Sequence, residues 1–242
     1  MKKIITTSIF ALLLVTATNA QNWGKKKIKG NGNVTTETRT TGDYDGIKCA
    51  GSMDFILVSG KEGQIKIEGE SNLLEYIVTE IKDKKLIVKV KKGVNISSSK
   101  NKGIKITIPF KDINNVSLAG SGDVVSQDQI ITNNLNVSLA GSGDIILDIK
   151  TQSVKGAVAG SGDISLKGST NKLVAKVAGS GDFNSYGLNS NDAEVSVAGS
   201  GDVKVSASNN LKARVAGSGD VTYRGNPKVD KKVAGSGDIS KD

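Results

Sequence analysis

Through the second half of the chain, apolar residues stand two apart with polar or small residues between them. The alternation keeps a fixed phase relative to a short motif, Ala-Gly-Ser-Gly-Asp. Five residues before each motif Asp stands Leu118, Leu139, Val158, Val177, Val197, Val215 or Val233. Directly after it stands Val124, Ile145, Ile164, Phe183, Val203, Val221 or Ile239. Nine residues before it, six of seven copies are apolar: Leu135, Val154, Leu173, Ala193, Leu211 and Val229. Spacing by two places these side chains on one face of a strand. Each copy therefore predicts a strand, a tight glycine corner, and a second short strand after the Asp.

The motif Asp falls at Asp123, Asp144, Asp163, Asp182, Asp202, Asp220 and Asp238, at intervals of 21, 19, 19, 20, 18 and 18 residues. All the length variation lies after the second strand, which marks a second, tolerant corner. A degenerate copy, Ala50-Gly51-Ser52-Met53-Asp54, stands upstream. Strand, corner, strand, corner in about 20 residues is one coil of a solenoid. A coil's inward row cannot bury itself, but stacked coils bury it against the rows above and below. With strands ~4.8 Å apart, seven coils make a stack roughly 34 Å long. A propeller blade needs about 40 residues, and a coiled coil has another period. The pattern predicts an all-β fold: a parallel β-helix over 112–242, led by an N-terminal β region over 21–111.

That first region is less regular. Ile47 to Val58 reads as a strand pair around the degenerate corner, and Gln64 to Glu68 alternates. Ser71 to Ile77 suits a helical turn or two capped by Ser71 or Asn72. Val78–Ile81 and Leu86–Val90 read as a hairpin across a lysine-rich turn. Ile104–Pro109 is another strand. Met1–Ala20 reads as a signal peptide, with a basic start, an apolar run and a small residue at the cleavage point. The run is too short to span a membrane, for which about 20 apolar residues are needed. No second such run follows, so no transmembrane segment is expected in the mature chain. The expected location is the periplasm, the outer cell surface or the medium. Trp23 falls in the tail before the fold, and no anchor is expected after Asp238.

Composition narrows the chemistry. The 242 residues include no His and one Cys. That excludes histidine general bases, His-ligated metals, an internal disulfide and thiolate cages. Cys49 is expected to be a small buried hydrophobe. Residues 25–111 carry 18 Lys+Arg against 10 Asp+Glu, whereas 112–242 carry 13 against 14. For an exported chain this basic half does not point to nucleic acid. It reads as a solubilising surface, or as one attracted to acidic glycan or lipid headgroups through Lys82, Lys84, Lys85, Lys91 and Lys92.

Three stretches carry a resemblance: Tyr44 to Asp54, then Asn72 to Ile77, then Ile104 to Pro109 followed by Val116 to Asp123. With the tandem motif they resemble the "putative auto-transporter adhesin head domain" family, also called the head GIN domain, over roughly residues 28–242. The resemblance implies a secreted or envelope β-helical protein and brings no catalytic residues. Met53, where a corner Gly is expected, departs from the pattern and predicts a looser turn.

The two corner glycines are read as permitting positive φ, and the Ser and Asp as bonding their own turn's backbone N–H groups. The seven Asp would then form a ridge. Carboxylates ~4.8 Å apart repel by about 0.9 kcal/mol in water and about 3.5 kcal/mol at an effective dielectric of 20. The ridge therefore needs local donors, calcium or a ligand. Asp148, Asp192 and Glu194 form no recognisable catalytic cluster, and Arg214 and Arg224 read as surface arginines. Aromatic platforms for sugars are scarce, and Phe183 is assigned to the core. The resulting expectation is an exported, non-enzymatic adhesin-like module that meets a surface protein or glycan along a repetitive face. Its alternatives are a structural envelope protein using the basic half and, remotely, a calcium-dependent polysaccharide lyase. Open solenoid ends leave self-association open.

Overall fold

The computed structural model describes residues 26–242; the expected signal peptide, Met1–Ala20, and Trp23 lie outside the described residues. The first region contains β1 (Lys26–Lys29), β2 (Val34–Thr40), β3 (Gly46–Gly51), β4 (Asp54–Ser59), β5 (Gln64–Glu70), the single helical turn α1 (Ser71–Leu74), β6 (Ile77–Lys82), β7 (Lys85–Val90), β8 (Val94–Ser97) and β9 (Lys105–Phe110). The repeats contain β10 (Asn115–Gly120), β11 (Val124–Ser126), β12 (Ile130–Gly141), β13 (Ile145–Gly160), β14 (Ile164–Gly179), β15 (Phe183–Gly199), β16 (Val203–Gly217), β17 (Val221–Arg224), β18 (Lys228–Gly235) and β19 (Ile239–Lys241). Seventeen strands share one sheet system, while β1 and β8 pair separately.

Every copy stacks on the next in parallel, in the register that the sequence pattern implies. The row before the corner runs Leu118, Leu139, Val158, Val177, Val197, Val215, Val233. The row after it runs Val124, Ile145, Ile164, Phe183, Val203, Val221, Ile239. All these residues are buried except Val233, which is 39% exposed in the final coil. The register shifts between Ser165 and Lys167, and between Ser185 and Asp192. Both lie after the second strand of a coil, where the sequence varies in length.

Size is matched across the interior. A Cβ added to Gly156 would fall 2.2 Å from the Phe183 ring. Phe183 thus occupies the space that a missing side chain leaves. Phe183 is core, as its position implied, and Cys49 is buried in the same interior, which raises its thiol pKa.

The degenerate copy is the first coil of this stack. Cys49 lies beside Leu118, and Phe55 beside Val124. Between the two coils the chain leaves the stack and builds its base. Strands β7 and β9 extend the two faces in parallel beneath β3 and β4. Strands β6, β5 and β2 then close the base in antiparallel pairings.

The helical turn differs from expectation. Its N-cap is Glu70, which makes no side-chain capping bond. The buried Glu70 carboxylate instead accepts from the Gly32 amide at 2.5 Å, the Ser99 amide at 2.7 Å and the Ser99 hydroxyl at 2.6 Å. Asn72 is drawn away too, accepting from the Asn31 amide at 3.0 Å and donating to the Lys29 carbonyl at 2.8 Å. Both side chains tie the β1–β8 pair to the base. The hairpin forms as expected, with Asp83 and Lys84 both left-handed at φ 50° and 56°.

Candidate functional site

The repeated corner is the most regular surface feature. Only the first glycine of each motif is left-handed; Gly120, Gly141 and Gly160 have φ of 140°, 138° and 128°. The second glycine is not, contrary to expectation. A Cβ on Gly143 would stand 1.9 Å from the Gly122 carbonyl oxygen of the coil beneath. Glycine is required there by stacking, not by φ. The same fact explains Met53. No motif corner lies under the first coil, so a side chain is tolerated, and Met53 is buried at 1% exposure. The turn is not loosened; its underside is filled.

Hydrogen bonding also runs between coils. The amides of Ser142 and Gly143 donate to the Gly120 carbonyl below, at 2.9 and 3.1 Å. The Asp123 carboxylate accepts from the Asp144 amide at 2.9 Å, Asp144 from Asp163 at 3.1 Å, and Asp163 from Asp182 at 2.8 Å. Asp182, Asp202 and Asp220 accept in turn from Asp202, Asp220 and Asp238, each at 2.8 Å. The carboxylates therefore bond the next coil, not their own turn. A hydrogen bond to a charged group contributes about 1.5–3 kcal/mol net. Each such bond offsets part of the repulsion between neighbouring carboxylates, about 0.9 kcal/mol in water and about 3.5 kcal/mol at an effective dielectric of 20. Among the described residues no three His, Cys, Asp or Glu side chains are grouped to hold a metal.

The five lysines do not form one patch. Lys82, Lys84 and Lys85 surround the β6–β7 turn, and Lys84 sits 3.5 Å from Asp45. Lys91 and Lys92 follow the other end of β7, about 20 Å away along a six-residue strand.

Two lateral grooves, not marked by the motif, join residues of successive coils. One, of 440 Å³, lies over the last four coils and brings Asp192 and Glu194 near Lys172, Lys212, Lys228 and Asp230. Two ion pairs lie along it: Lys212 with Glu194 at 3.0 Å, and Arg214 with Asp230 at 2.5 Å. These pairs lower the Glu194 and Asp230 carboxyl pKa values, chiefly through the hydrogen bonds from Lys212 and Arg214. Arg224 bonds Asp242 and lies 4.0 Å from the centre of the Tyr186 ring. Asp148 is elsewhere, accepting from Gln129 at 2.7 Å. The second groove, of 640 Å³, follows the tolerant corner and is lined largely by Asn, Gln, Ser and Thr. Strand alternation alone could not find either groove, because each is built from residues about one period apart. Reading the sequence down the aligned coils would have shown the polar row.

These features define a parallel β-solenoid head on a closed β base, with its polar chemistry on outer rows. The chain belongs to the family described as "Putative auto-transporter adhesin, head GIN domain", whose pattern matches residues 43–227. No curated protein matches it. Among solved structures, a "putative adhesin" from Bacteroides fragilis shares 26% identity at a TM-score of 0.80, covering 89% of this chain and 100% of that one. A "putative lipid binding protein" from Parabacteroides distasonis shares 28% identity at 0.75, covering 90% and 100%. A "putative adhesin" from Parabacteroides merdae, 24% identical at a TM-score of 0.69 and covering 90% and 99%, shares the fold. No helix among the described residues is long and apolar enough to cross a membrane.

Proposed function

We propose that this protein is an exported, non-enzymatic adhesin-like module of the cell envelope or the medium, binding a surface protein or glycan along the side of its solenoid. The observation that carries this reading is the sealed interior with regular outer rows. Each coil presents side chains at the same height and spacing, so affinity can accumulate over several coils. The family and the Bacteroides fragilis relative support the adhesin class. The relative described as lipid-binding supports including lipid among the partners tested.

The test is an array of glycans, matrix proteins and anionic vesicles, probed with the mature chain with and without calcium. Binding without product formation is expected, falling when outer-row residues are substituted. New unsaturated ends in a bound polysaccharide would replace this reading with a lyase. Binding confined to anionic vesicles and lost steeply with salt would favour contact through the basic half.

A further inference from the structure

We infer that the groove along the tolerant corner binds a neutral, linear, polyhydroxylated chain, an oligosaccharide lying parallel to the solenoid axis. The inference deepens the lateral-face reading and rests on it. The register that pairs Thr132 with Thr151, Thr151 with Thr170, and Thr170 with Ser190 places Asn133, Gln152, Asn171 and Asn191 above one another at the bend. All four are exposed. Asn171 donates to the Gln152 carbonyl oxygen, and Asn191 donates to that of Asn171 at 3.2 Å. A primary amide has two N–H donors and two acceptor lone pairs. These contacts use at most one donor and one lone pair on each amide, leaving the rest for a ligand at every coil.

Beneath the amides, Thr151 and Thr170 bond each other at 2.9 Å and are buried. They fix the bend from inside, so the amide row is held before any ligand arrives, which lowers the entropic cost of binding. The groove spans four coils, or about 14 Å at ~4.8 Å per coil, enough for a few sugar rings. Its two charged lining residues, Lys150 and Asp112, are of opposite sign. An anionic polymer therefore finds no excess of positive charge there. The strands beneath are already paired on both sides, so an extended peptide finds no free edge. Ile131, 65% exposed at one end, offers an apolar contact for the C–H face of a ring.

The test uses the whole mature chain and three probes: linear hexamers of glucose, of N-acetylglucosamine and of galacturonic acid, titrated by calorimetry. At least one neutral hexamer is expected to bind with an affinity that does not change with salt. The double variant Gln152→Ala/Asn171→Ala should weaken it about thirtyfold, since it removes two hydrogen bonds of about 1 kcal/mol each. Lys176→Ala, away from the groove, should not. If the double variant loses its fold by circular dichroism, Asn191→Ser shortens one amide while keeping a polar corner, and should weaken binding several-fold. Three results would each overturn the inference: no neutral hexamer binding, undiminished binding by the folded variants, or binding of the uronate alone with steep salt dependence. If the chain still binds the surface array, the lateral-face reading survives that loss; if it binds nothing there, both fall.

Discussion

The second glycine of the motif gives a sharp test, because stacking alone requires it. In Gly162→Ala, the new Cβ would stand 2.0 Å from the Gly143 carbonyl oxygen, whereas ordinary contact begins near 3.4 Å. Both atoms belong to rigid corners, so the coils must separate locally. Separation strains the Ser161 and Gly162 amide bonds to Gly141, at 2.9 and 3.0 Å, and the Asp163 amide bond to Asp144 at 3.1 Å. Overpacking costs about 1–3 kcal/mol, and weakening these bonds adds about 1 kcal/mol or more. The sum is roughly 2–5 kcal/mol, a fall in melting temperature of about 5–15 °C for a chain of this size. The opposite change at the first coil should not help. Met53→Gly restores the motif but deletes a buried side chain, at a cost of about 2–5 kcal/mol. Thermal and urea melts, with hydrogen exchange at the corner amides, would measure both. An unperturbed Gly162→Ala, or a stabilised Met53→Gly, would refute the argument that the coil beneath sets the residue.

Other outcomes follow from the same contacts. Gly156→Ala should destabilise by about 1–3 kcal/mol. Adding Phe183→Leu should recover part of that, read as a coupling energy in a double-mutant cycle. Glu70 has its carboxyl held below the usual value, chiefly by the Ser99 hydroxyl and then by the Ser99 and Gly32 amides. A depressed folded value means stability present above the unfolded pKa, near 4.3, and lost as pH falls through the lower folded one. Proteolysis within 26–33 and 94–102 should therefore quicken in acid, and Glu70→Gln should blunt that dependence. Ala159 and Ala178 are register partners, about 4.8 Å apart and within disulfide reach. Cysteines there should crosslink on oxidation, while cysteines at 140 and 178, two coils apart, should not. Calcium or chelator should leave the melting temperature unchanged, because backbone amides already serve the Asp ridge; a rise with calcium would reveal a structural ion.

The coils were legible because one period repeats with its side-chain types intact, so an inward row could be followed from Leu118 to Val233. What the sequence hid was contact between coils. Ser-Gly-Asp reads locally as a self-bonded turn, yet its amides and carboxylates bond the neighbouring winding. Met53 breaks the motif locally, and only the absence of a motif corner beneath the first coil explains why a side chain fits there. Glu70 and Asn72 were unreadable as staples because their partners, Gly32, Ser99 and Lys29, lie in distant strands. The acidic ridge was visible as a periodic mark. The amide row stands eleven residues before Asp144, Asp163, Asp182 and Asp202, outside the alternating apolar pattern that marks the strands.

The most direct measurement concerns how affinity is spread over the side of the molecule. On whichever array ligand the mature chain binds, outer-row residues would be replaced in one coil, then two, then three, with folding checked for each. A stepwise fall in affinity, each coil contributing a similar factor, is the predicted result. Complete loss from one coil with no effect from its neighbours would contradict it and assign recognition to a single pocket.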